Sequence, residues 1–78
     1  MYIYTQGNKI VNTNKLTDIE LVKVGNKSFG IRASSGLDYL TLPFLLAKDD
    51  SYETVEKEYD NILKALQNGQ KTYIINHI

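Results

Sequence analysis

Few side chains in this sequence could do chemistry. His77 is the only histidine and no cysteine occurs, so a thiolate nucleophile and a disulfide are excluded and a protein zinc cage is not expected. A Ser-His-Asp device would have to use His77, at a penultimate position expected to fray. Carboxylates concentrate at Asp49, Asp50, Glu53, Glu56, Glu58 and Asp60, which with Lys57 give residues 49–60 a net charge of −5. Paired carboxylates can serve as general acid and base. Their placement here matches the start of a helix and a solvated face, or else an acidic docking surface. No loop has the Asp-x-Asp-x-Asp-Gly spacing that holds a divalent cation. The expectation is no enzyme, no catalytic residue, no metal and no cofactor.

Cations sit in the other part of the chain. Residues 1–48 carry Lys9, Lys15, Lys23, Lys27, Arg32 and Lys48 against Asp18, Glu20 and Asp38, a net +3. Lys23 and Lys27 flank a hairpin tip, and Arg32 follows on the polar face of the next strand. With Tyr4 and Tyr39 they form a candidate site for a small anionic ligand, a nucleotide for example. The alternative is solubility and protection of strand edges by lysine. Gly25-Asn26-Lys27-Ser28 lacks both the rest of a phosphate loop and the helix that must follow it. The six tyrosines suit half-buried sheet packing, a protein interface, or a stacking platform for single-stranded nucleic acid.

Composition narrows these choices. Nine Lys plus Arg balance nine Asp plus Glu, which argues against a duplex nucleic-acid binder needing a basic surplus. Seventy-eight residues make one domain, 1–78, with 42% hydrophobic residues. The longest apolar run, Leu42 to Ala47, is far short of the roughly 20 residues of a membrane span. The N-terminus lacks the charged start and apolar stretch of a signal peptide, so the expected compartment is the cytoplasm. Asn, Ile, Lys and Tyr are abundant and Arg32 is the only arginine, a bias expected of an AT-rich genome.

The elements follow from turn signals at Gly7-Asn8, Thr13-Asn14, Gly25-Asn26 and Ser34-Ser35-Gly36. They predict strands over Tyr2 to Gln6, Lys9 to Asn12, Leu16 to Val24, Ser28 to Ser34 and Tyr39 to Leu46. In the fourth, Phe29, Ile31 and Ala33 alternate with polar residues. In the third, Ile19 and Leu21 oppose Val22 and Val24, so either a bulge or cover on both faces is expected. Gly30 inside a strand suggests a bulge or a close backbone approach. Asp50 with Glu53 has capping-box spacing, and Ser51 could cap in a shifted register. Tyr52, Val55, Tyr59, Ile62, Leu63 and Leu66 then form one helical stripe, with Tyr52 and Tyr59 expected in the core. Asn68-Gly69 stops the helix. The predicted architecture is α+β: a curved antiparallel meander of five short strands (1–47), packed on one amphipathic helix (50–68), then a final strand (71–78).

Two apolar segments lack an evident cover. Pro43 to Ala47 does not alternate, and Pro43 confines its strand to an edge or ends it. The final strand has Tyr73 and Ile75 on one face, Ile74 and Ile78 on the other. One helix covers one face of a sheet, so a second copy is the economical cover for the rest. Phe44, Leu45, Tyr73, Ile75 and Ile78 are the candidate oligomer contacts. The alternative is a sheet that curls and buries both segments itself.

The run Tyr4-Thr5-Gln6-Gly7-Asn8-Lys9-Ile10-Val11-Asn12, the meander, and the acidic helix ending Leu66-Gln67-Asn68-Gly69-Gln70-Lys71-Thr72-Tyr73 resemble a loose group of small β-rich proteins. These come from low-GC Gram-positive bacteria and their phages. The resemblance implies a small accessory or phage-encoded protein and carries no established activity. The functional expectation is a homo-oligomeric, non-enzymatic binding module, with inhibition of a host protein as its role if the gene is phage-encoded. The alternatives are a small-ligand binder with sites between subunits and a single-strand nucleic-acid module.

Overall fold

The computed structural model describes residues 1–35 and 43–75. In the segment Ser28–Ser34 (β4) Ile31 and Ala33 are buried as predicted while Ser28, Arg32 and Ser34 are half-buried, but Phe29 is only half-buried and Gly30, on the other face, is buried. β4 is the middle strand of a three-stranded antiparallel sheet, between Asp18–Val24 (β3) and Phe44–Asp49 (β5). The β3–β4 ladder is regular from Asp18↔Ser34 to Val24↔Ser28. No bulge re-phases β3; its two faces are both half-covered instead.

The irregularity lies in β5. Ile31 opposes Ala47 and Arg32 opposes Leu45, so Leu46 is an extra residue on the edge strand. That bulge lets Leu46 and Ala47, neighbours in sequence, both turn inward and reach 1% exposure. It explains an apolar run without alternation. Pro43 directly precedes this strand, which is an edge of its sheet as proline requires. Gly30 marks a close approach rather than a bulge. A Cβ there would lie 3.0 Å from Leu45 Cδ2 and 3.1 Å from both the Ala47 carbonyl and Val24 Cγ2.

The second sheet has the order β2-β1-β6, built from Tyr2–Tyr4 (β1), Ile10–Asn12 (β2) and Thr72–Ile74 (β6). The fold is α+β with the last strand after the helix, but its strands divide between two sheets. The central strand β1 pairs antiparallel with β2 and parallel with β6. The sheets are joined at Gln6. Its N–H donates to the Leu46 carbonyl (3.0 Å), and its side-chain amide exchanges two bonds with the Lys48 backbone (2.8 and 3.2 Å). A side chain thereby takes the place of a strand along β5.

The helix runs Tyr52–Gln67 (α1). Of the two possible caps, Ser51 is the one used: its Oγ accepts from Thr54 N–H. Asp50 instead accepts from Ser28 Oγ at 2.6 Å, tying the helix start to the β3–β4 hairpin. Asn68 closes the helix and Gly69 takes the left-handed conformation (φ +70°). The buried line is Val55, Ile62 and Ala65, flanked rather than filled by Leu63 and Leu66. Tyr52 is a correction: it is 45% exposed, its ring meeting Phe29 edge-on at 5.2 Å. Tyr59 is half-buried and donates to the Ile19 carbonyl. The core gathers Ile3, Ile31, Ala33, Leu46, Ala47, Val55, Ile62 and Ile75 from both sheets and the helix. No described helix is long and apolar enough to cross a membrane.

Candidate interaction surface

In the second sheet, Ile3 is buried and its cross-strand neighbours Val11 and Tyr73 are half-buried on the same side. Alternation then turns Tyr2, Tyr4, Ile10, Asn12, Thr72 and Ile74 outward. Register places Ile10, Tyr4 and Ile74 side by side in one row, with Asn12, Tyr2 and Thr72 in the next. Neighbours in such rows are in contact distance across the strands. Tyr2 is 50%, Tyr4 39%, Ile10 62% and Ile74 56% exposed. Together they offer roughly 400 Å² of mainly apolar surface, the size of the largest apolar patch on a typical monomer. No charged residue stands in either row.

A groove of about 430 Å³ runs at one end of this face, between Tyr4, Ile10 and Ile74 and the turn carrying Gln6, Asn8 and Lys9. Thr5, buried at 6%, shapes that turn. Its Oγ1 accepts from Lys9 N–H (3.0 Å) and its carbonyl from Asn8 N–H (3.1 Å), with Asn8 in the left-handed region (φ 64°).

The residues proposed for an anionic ligand do not converge. Tyr4 belongs to the outer face just described. Lys23 and Lys27 are exposed at the β3–β4 hairpin, in the other sheet. Arg32 lies on the opposite side of that sheet from Lys23 by parity, and its guanidinium is paired with its cross-strand neighbour Glu20. Tyr39 lies outside the described residues. Among the described residues no three His, Asp or Glu side chains are grouped to hold a metal.

The residues proposed for self-association are also dispersed. Phe44 is half-buried against the core, and Leu45, 39% exposed, lies over Gly30 on the first sheet. Ile75 is in the core at 6% exposure, so a lysine there would test the fold and not an interface. Tyr73 faces the helix and donates to Glu58 Oε1 at 2.7 Å. Ile78 lies outside the described residues. The exposed apolar residues of the sheet, Tyr2, Ile10 and Ile74, are not among the candidate oligomer contacts named from the sequence. Parity alone separates Ile74 from Tyr73 and Ile75, but deciding which set faces outward needs the position of the helix.

Burial and the neighbouring Glu58 carboxylate raise the Tyr73 phenol well above its ordinary value. The folded protein therefore favours the neutral phenol, and this contribution is intact below about pH 10, the unfolded value. It is lost as the pH rises from there toward the folded value. Tyr73→Phe should cost roughly 0.5–1.5 kcal/mol at neutral pH and flatten the alkaline loss. Urea midpoints measured from about pH 7 to pH 11 check this; parallel curves for parent and variant would refute it.

No family model, curated protein or solved structure matches this chain.

Proposed function

We propose that this protein is a non-enzymatic interaction module that associates with itself through the outer face of the β2-β1-β6 sheet. The observation that carries this reading is the charge-free apolar row Ile10, Tyr4, Ile74. Sheets pack face to face about 10 Å apart with interleaved side chains, and two copies of this face bring no like charges together. Tyr2 and Tyr4 suit such a contact, offering an apolar ring and a hydroxyl that can remain wet at the rim.

Area sets the expected strength. Burying roughly 400 Å² on each copy falls below the ~800 Å² per partner of a standard interface. The pairing is therefore weak and concentration-dependent. Sedimentation equilibrium from about 1 μM to about 1 mM should show mass rising above the 8.9 kDa chain. Ile10→Lys and Ile74→Lys, at exposed positions where folding tolerates lysine, should hold the protein at monomer mass. A parent that remains monomeric throughout, or lysine variants that associate like the parent, would remove this reading.

A further inference from the structure

The sheet edges of this protein are not treated alike. Along β5, Gln6 takes the Leu46 carbonyl and both backbone groups of Lys48. On β6, Lys71, Tyr73 and Ile75 face β1, as the bonds from Tyr2 N–H to Lys71 and from Ile75 N–H to Tyr4 show. The outward carbonyl of Thr72 accepts from the Gln70 side chain. The edge of β3 carries Asp18, Glu20 and Lys23, charges of the kind that discourage strand addition. The fourth edge, β2, consists of Ile10, Val11 and Asn12 and has no charge.

The ladder shows what that edge presents. Thr5 N–H bonds to the Lys9 carbonyl and Thr13 N–H to the Met1 carbonyl. In an antiparallel pair hydrogen-bonded and non-bonded positions alternate, so Ile3 and Val11 form a bonded pair, and Tyr4↔Ile10 and Tyr2↔Asn12 do not. The N–H and C=O groups of Ile10 and Asn12 therefore point away from β1. Among the described residues, neither Ile10 group nor the Asn12 N–H has a partner outside its own strand. Asn12 is the N-cap of the 3-10 turn Thr13–Lys15, so its C=O faces that turn and keeps a second lone pair for another donor.

We infer that β2 pairs antiparallel with β2 of a second copy across a two-fold axis at Val11. In that register Ile10 faces Asn12 of the other copy and Asn12 faces its Ile10, so all four outward groups are used on both sides. The two half-buried Val11 side chains then meet at the close, non-bonded position. Lys9 falls opposite Thr13 of the other copy, which keeps the two lysines at opposite ends of the contact. The two apolar faces join into one six-stranded surface, continuous with the proposed face-to-face contact. The inference rests on that reading of the face: each contact is too small to be stable by itself, and together they close an assembly of four chains.

The test reads mass and backbone amide exchange on the same samples. The expected mass at high concentration is four times 8.9 kDa. The Ile10 and Asn12 amides should then exchange at least roughly tenfold more slowly than in dilute protein, while Val11, bonded to β1, is protected throughout. Asn12→Pro removes one outward donor at a residue whose φ of −88° a proline nearly matches. It should dissolve the assembly, since the face contact alone is too small to hold it, whereas Asn12→Ala, which keeps the N–H, should leave it at four. An assembly whose Ile10 and Asn12 amides exchange as fast at high as at low concentration would overturn the edge pairing and leave the face standing. Protection of those amides that survives Ile74→Lys would do the reverse. A monomer at every concentration would overturn both.

Discussion

Ile31→Ala is expected to remove about 2–5 kcal/mol of folding stability, while Ile10→Ala removes less than about 0.5 kcal/mol from the same protein in its monomeric state. The chemistry is the same deletion of three carbons from a strand residue; only the surroundings differ. Ile31 is fully buried at the centre of β4, between the flanking strands and below the helix. Truncation there loses the transfer free energy of the side chain and leaves a cavity that packed neighbours cannot fill. Ile10 is 62% exposed on the outer face and leaves only solvent behind. A chain of this size has a total stability of about 4–12 kcal/mol, so the first variant uses up much of it. Urea denaturation below the association threshold, with the m-value checked for constancy, measures both. Equal losses at the two positions would show that the outer face is covered within the monomer.

Gly30→Val should cost on the order of 2–3 kcal/mol, through overpacking rather than a cavity. The Cβ alone would stand 3.1 Å from the Ala47 carbonyl oxygen, a backbone atom held by the β4–β5 ladder. Leu45 Cδ2 can rotate away, but the Ala47 carbonyl cannot move without opening the pairing beside the β5 bulge. A β-branched side chain then adds two further carbons to the same space. The loss runs against the intrinsic strand preference, which ranks valine far above glycine. A thermal melt decides the sign. Gly25→Ala makes a useful comparison, because nothing lies within 4 Å of its Cβ position and only the positive φ of 67° opposes it. A Gly30→Val protein as stable as the parent would mean that the two strands separate there at little cost.

Much of the fold is legible along the chain because it depends on near neighbours. The helix is an example: its cap at Ser51, its acidic first turn and the left-handed Gly69 each act on backbone groups within about one helical turn of themselves. Between Asp50 and Ser51 as cap, sequence could not choose. Asp50 was drawn away by the Ser28 hydroxyl, a contact 22 positions distant. β4 was legible for a similar reason, since alternation over seven residues specifies a two-sided strand whatever its partners are.

The candidate surface was legible only in part. An uncovered apolar strand face was expected from the count of one helix against many strands. Its location was not, because sidedness in a strand as short as β1 or β6 depends on which face the helix and the other sheet occupy. β6 lies against β1 some seventy positions away and in parallel, a pairing no local pattern announces. That pairing turned Tyr73 and Ile75 inward and left Ile74 in the exposed row. The Gln6 clip and the Leu46 bulge belong to the same class. Each answers a backbone hydrogen-bonding demand made by a distant strand, and ordinary residue types meet it. Local pattern thus specified the helix and the order of the strands, while long-range pairing carried β5 on to Asp49 rather than Leu46 and decided which apolar residues were left without cover.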